Sequence, residues 1–168
     1  MRGDSGFTLL ELLIALSILL ILLTMSLPSL NSMRSGAAQK ESARKIFAAL
    51  RQARSLSITE NLEYQVMFDL DQQIFWLERG DRADKSTSWD RVRDYGGLTG
   101  GNRLQALAGC TATSGQRKIQ FNPNGSANTL YVCAIEPKSS MRYRVGVPIA
   151  RTGRPVIQRD TGAKGQWH

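Results

Sequence analysis

The chain has 168 residues, 42% hydrophobic and 21% charged, with a formal net charge of +8, two cysteines and one histidine. That composition is ordinary for a folded protein and excludes a disordered tail; the length suffices for one modest domain and an anchor. The histidine is the last residue, His168, so no Ser/His/Asp or Cys/His constellation can be assembled from conventional positions, and neither catalysis nor a cofactor is expected.

Phe7 to Leu30 is a 24-residue stretch whose only charged residue is Glu11. As a helix rising about 1.5 Å per residue it would cross a hydrocarbon core of roughly 30 Å with some tilt. A removable secretory signal peptide would have a shorter apolar core and a small-residue cleavage site, whereas this run passes into Leu27-Pro28-Ser29-Leu30. A plain signal anchor and a more specialised segment are the other readings. Charge leaves orientation open, because the residues before the run hold only Arg2 against Asp4. Glu11 is the feature to explain, since a carboxylate at the centre of a helix in lipid costs on the order of 3 kcal/mol and usually has a partner.

Gly6-Phe7-Thr8-Leu9-Leu10-Glu11 resembles the type III signal of type IV pilins and type II secretion pseudopilins. The resemblance implies a leader, residues 1–6, cut after Gly6 by a prepilin peptidase, and N-methylation of the new terminal Phe7. Glu11 then becomes the fifth mature residue and Pro28 the twenty-second, both where this superfamily places them. It also implies an assembly role for both, with the Phe7 amine, on the same or a neighbouring subunit, neutralising Glu11. A Glu11 that snorkels to the headgroups with no further role is the alternative.

After Pro28, which is expected to kink the helix, the pattern changes. Ala43, Ile46, Phe47, Leu50, Ala53 and Leu56 recur at three- and four-residue steps, with Lys40, Glu41, Arg44, Lys45, Arg51 and Arg54 between them, which predicts an amphipathic helix from Asn31 to about Ser57. Tyr64, Val66 and Phe68, a turn around Leu70 to Gln73, and then Ile74 and Trp76 predict a β-hairpin. Asp69 and Asp71 at its turn suit local hydrogen bonding and make no metal site by spacing. Lys85 to Gly101 is polar and glycine-rich and reads as a loop; its glycine pairs lack the spacing of a phosphate-binding loop. Ile119-Gln120-Phe121 and Leu130-Tyr131-Val132 flank the turn signal Asn122-Pro123-Asn124-Gly125. A last pair of strands, Arg142 to Ala150 and Arg154 to Arg159, is joined near Thr152-Gly153.

One long helix followed by a helix-packed antiparallel sheet of hairpins gives an α+β chain: leader 1–6, transmembrane and assembly helix 7–30, globular domain 31–168. Leu50-Arg51-Gln52-Ala53-Arg54-Ser55, the stretch from Ile119 to Gly125, and Thr152-Gly153-Arg154 resemble the GspH/FimT family of minor pilins and pseudopilins. That resemblance implies a pilin-like fold, an inner-membrane location with the globular domain in the periplasm before assembly, and other major and minor pilins or pseudopilins as partners. Cys110 and Cys133 lie beyond the anchor, and an oxidising periplasm would allow them to pair; two unpaired buried thiols are the alternative.

The charge excess sits at the end of the chain. From Lys138 to His168 there are seven basic residues against one acid, Asp160. If Thr152-Gly153 is a two-residue turn, Arg151 and Arg154 face each other across a hairpin, while Arg142 and Arg144 share a strand face. The cluster is a solvated face, a contact for an acidic neighbouring subunit, or a phosphate-binding surface for DNA. In the FimT branch the resemblance implies DNA capture through a Gly-Arg-x-Arg motif, with Arg142, Arg144, Arg151, Arg154, Arg159 and Lys164 as candidate contacts here. This chain departs from the motif, since Val156 stands where the second arginine would be.

Overall fold

The computed structural model describes residues 8–137, 142–160 and 167, with the backbone alone over 23–35. The chain divides into two compact units, Met1–Arg34 and Ser35–His168. Helix α1 (Leu9–Glu60) begins in the first unit. Thr8 caps it: its Oγ1 accepts the Glu11 backbone N–H at 3.2 Å. Thr-x-x-Glu is capping-box spacing, and an acid in the first turn faces the positive end of the helix dipole. The leucines and isoleucines of this segment are exposed, from 48% at Leu16 to 78% at Leu9. Helix α1 runs on through Pro28. Among the described residues no helix is long and apolar enough to cross a membrane. The side chains described on this apolar segment end at Leu22, whereas the expected span continues to Leu30. Gly6 and Phe7 lie outside the described residues.

In the second unit, α1 carries a stripe at helical spacing. Ala43, Ile46, Ala49, Leu50 and Ala53 are fully buried, as the periodicity requires, and Phe47 and Leu56 are partly buried beside them. Against it pack, among the described residues, two four-stranded antiparallel sheets, not one. The first has the order β3-β2-β1-β5, built from β1 (Tyr64–Asp69), β2 (Ile74–Gly80), β3 (Trp89–Gly96) and β5 (Gln116–Phe121). The second, β4-β6-β7-β8, contains β4 (Arg103–Ala106), β6 (Leu130–Ile135), β7 (Arg142–Val147) and β8 (Val156–Asp160). Val66, Phe68, Phe75, Leu77, Ile119 and Phe121 from the first sheet and Leu104, Val132, Ala134, Val145 and Val147 from the second join the helix stripe in one hydrophobic core. Burial of so much apolar surface is the main favourable term in such a fold.

The predicted hairpin is present, with Asp69 opposite Ile74 across the 70–73 turn. Three expectations need correction. The 85–101 loop contains β3, an edge strand of mostly exposed residues whose charges hide the usual alternation. The Asn122–Gly125 turn joins strands of different sheets, since β5 pairs with β1 and β6 with β4 and β7. Arg151 and Arg154 do not oppose each other: the β7–β8 ladder ends at Gly146 opposite Val156, and both arginines lie in the connection.

The open edge of β5 is occupied by a side chain. Asn128 Oδ1 accepts the Gln120 N–H at 2.7 Å, its Nδ2 donates to Lys118 O at 3.0 Å, and its own N–H donates to Gln120 O at 3.3 Å.

Candidate functional site

Three segments far apart in sequence meet at the end of α1. The Asn122–Gly125 turn closes with Gly125 N–H donating to Asn122 O at 2.9 Å, and Gly125 has φ +80°, a left-handed conformation that favours glycine. The β7–β8 connection folds against it, with Ala127 N–H donating to Ala150 O at 2.8 Å. Gly153 (φ +52°) is buried there, and a Cβ on it would collide with the Gly125 carbonyl oxygen. From the helix, Arg54 reaches both loops: Nε donates to Gly125 O at 3.4 Å and Nη2 to Thr152 O at 3.2 Å. Ser57 Oγ lies 3.3 Å from Asn122 O. The arginine therefore satisfies carbonyls that two tight turns leave without strand partners.

Beside this clamp an open groove of about 620 Å³ runs between α1 and the β7–β8 connection. Phe47, Ile58 and Pro155 supply apolar surface, and Arg51, Arg54 and Arg154 supply charge. None of these arginines forms an ion pair with a described residue, and no acid among the described residues lines the groove. The Arg51 guanidinium lies 5.8 Å from the Phe47 ring centroid. The helix pattern puts Arg51 and Arg54 between the apolar positions; that they flank one groove follows only from the return of the 148–155 segment.

The basic cluster is dispersed in role. Arg142, Arg151, Arg154 and Arg159 are exposed. Arg144 is engaged inside the fold, its guanidinium 4.2 Å from the Tyr131 ring centroid and 4.1 Å from that of Trp167. It also donates to Gln158 Oε1 at 2.9 Å and to Ala108 O at 2.6 Å, and burial lowers its pKa. Lys138 and Lys164 lie outside the described residues.

Cys110 and Cys133 form a disulfide with Cα atoms 5.8 Å apart, tying the segment after β4 to β6. Asp69 and Asp71 serve their turn. Asp69 Oδ1 accepts the N–H groups of Asp71 and Gln72 at 3.0 and 2.8 Å, and Asp71 Oδ2 accepts that of Gly115 at 2.9 Å. The Gln72 N–H, with the Gln116 side-chain amide, holds the Asp69 carboxyl below the ordinary carboxylate range. Glu63 binds the 81–88 segment through the N–H groups of Ser86 at 2.7 Å and Lys85 at 3.2 Å. Burial alone would raise its pKa; those hydrogen bonds outweigh burial and lower it.

A helix laid on antiparallel sheets, with a methylation-type segment at its start, defines the pilin-like class of α+β proteins. Residues 1–27 match the prokaryotic N-terminal methylation motif. The chain belongs to the family of the type II transport protein GspH, which matches residues 42–153. No curated protein matches the chain. Among solved structures, its fold is similar to that of the minor pseudopilin EpsH from the type 2 secretion system of Vibrio cholerae. That likeness has a TM-score of 0.55 at 16% identity, covering 71% of this chain and 95% of EpsH. It is also similar to the type IV minor pilin FimU of Pseudomonas aeruginosa, with a TM-score of 0.53 at 13% identity, covering 75% of this chain and 90% of FimU.

Proposed function

We propose that the chain is a minor pilin or pseudopilin, anchored in the inner membrane through residues 7–30 and cleaved after Gly6 by a prepilin peptidase. It is then methylated at Phe7 and assembled with other pilins or pseudopilins into a type IV pilus or a type II secretion pseudopilus. One observation carries this reading: a single chain joins the N-terminal methylation motif to a GspH domain. Its contribution is to bind and assemble.

Mass spectrometry of the mature protein tests the processing step: a terminus at N-methylated Phe7 is expected, and an intact residue 1 would overturn it. Glu11 also stands at capping-box spacing from Thr8, to which its backbone N–H donates, so a substitution that keeps this position but removes the charge isolates the assembly role. Glutamine suits the same capping position but carries no charge. Glu11→Gln should insert and fold as the parent does yet enter filaments as poorly as Glu11→Ala; normal incorporation of Glu11→Gln would remove the charge pairing with the Phe7 amine.

The alternative, a minor pilin that captures DNA, draws support from the exposure of Arg142, Arg151, Arg154 and Arg159. It loses one contact, because the Arg144 guanidinium is spent on Gln158 and Ala108. Its test is a gel-shift titration at two salt concentrations, since phosphate binding weakens steeply with salt. Absence of salt-dependent retardation at micromolar protein counts against DNA capture.

A further inference from the structure

We infer that the groove between α1 and the β7–β8 connection is a docking site for an acidic segment of another filament subunit, one bearing a carboxylate next to an aliphatic side chain. This rests on the proposed function for the partner's nature; the chemistry of the groove is independent of it. Arg51, Arg54 and Arg154 converge on it and no described acid lines it, so its charge is uncompensated among the described residues. A planar guanidinium presents paired donors that match a carboxylate. Two observations favour a polypeptide over a nucleic acid backbone. The groove surface is apolar at Phe47, Ile58 and Pro155, with Ile58 48% exposed, which suits an aliphatic side chain and offers a phosphate nothing. The three charges also lie around a single groove and do not form a track along the surface.

The walls are built to hold their shape. Arg54 is fixed by two carbonyls, and the facing loop is locked by the close approach of Gly153 to Gly125. Arg51 and Arg154, by contrast, have no hydrogen bond from their guanidinium groups to any described residue, so they are available to an incoming ligand. A preformed groove of this kind costs little ordering on binding.

The test uses the full chain in cells, with a photoactivatable phenylalanine analogue at Ile58 and, separately, at Leu16 on the apolar part of α1. The expected result is a crosslink from Ile58 to a segment of another pilin or pseudopilin that contains Asp or Glu. That crosslink should fall at least tenfold in Arg51→Glu and Arg154→Glu, and return when the partner's carboxylate is exchanged for lysine. The milder Arg51→Gln and Arg154→Gln should each lower it, and all four variants should retain the Cys110–Cys133 bridge as evidence of folding. Crosslinks from Leu16 without any from Ile58 overturn the groove and leave the subunit reading standing. Crosslinks from neither position overturn both. A product with DNA, with lipid or with a segment lacking acids, or one indifferent to the arginine variants, overturns the assignment of an acidic peptide.

Discussion

Arg54 and Arg51 are one turn apart on the same helix, and both point into one groove, but they do different work. Arg54 spans two loops through the carbonyls of Gly125 and Thr152, whereas Arg51 lies over Phe47 and bonds to no described residue. Arg144 and Arg142 repeat the contrast on β7: the first contacts the Tyr131 and Trp167 rings and donates to Ala108 O, the second is exposed. A count of basic residues treats all four alike. The fold sorts them, because an arginine that meets backbone carbonyls becomes structural, while its neighbour stays available to a ligand.

The clamp region should therefore be costly to alter and the groove arginines cheap. Gly153→Val is the severest test, combining a positive φ with a collision against Gly125 O. A loss on the order of 4 kcal/mol is expected in denaturant unfolding of the full chain in detergent, and a change below about 1 kcal/mol would show that the two loops do not hold each other. Cys110→Ser with Cys133→Ser comes next. The bridged residues are 23 apart in sequence. Closing such a loop contributes about 3 kcal/mol in the chain-entropy model, read as a shift in the unfolding midpoint against the parent without reductant.

Arg54→Ala should then cost about 1–2 kcal/mol by leaving two carbonyls short of a donor, against less than about 0.5 kcal/mol for Arg51→Ala. Equal losses would erase the contrast. The smallest effect concerns acid. Glu63 and Asp69 have lowered pKa values in the folded chain, so their contribution is fully present above their unfolded values and is lost as pH falls through the folded ones. Stability should decline below about pH 4, and Glu63→Gln should flatten that decline in a series of thermal melts.

Local pattern was legible where burial was regular. The helix stripe at Ala43, Ile46, Leu50 and Ala53, and the alternation at Tyr64, Val66 and Phe68, announce their elements because one face is buried. Strand β3 is hidden because its exposed Asp90, Arg91, Arg93 and Asp94 give no apolar alternation, and β4 spans only Arg103–Ala106. The assignment of β5 and β6 to different sheets is a long-range outcome that a turn signal between them does not encode. For the same reason Arg54, Gly125 and Gly153 stood in the sequence as three separate motifs. Their meeting depends on how the chain returns to the end of the helix. Thr8 is legible in principle, since Thr-x-x-Glu before an apolar run is a cap signature.

The amide of Asn128 has a consequence for association between copies of the chain. By occupying Gln120 N–H and Lys118 C=O, it leaves the rim of the first sheet without the row of free donors and acceptors from which one molecule could extend the sheet of the next. At the opposite rim, β3 presents the exposed charges of Asp90, Arg91, Arg93 and Asp94, which resist the same event. Both rims are thus poor seeds for amyloid-like stacking, and copies gathered at one place are left to associate by other surfaces.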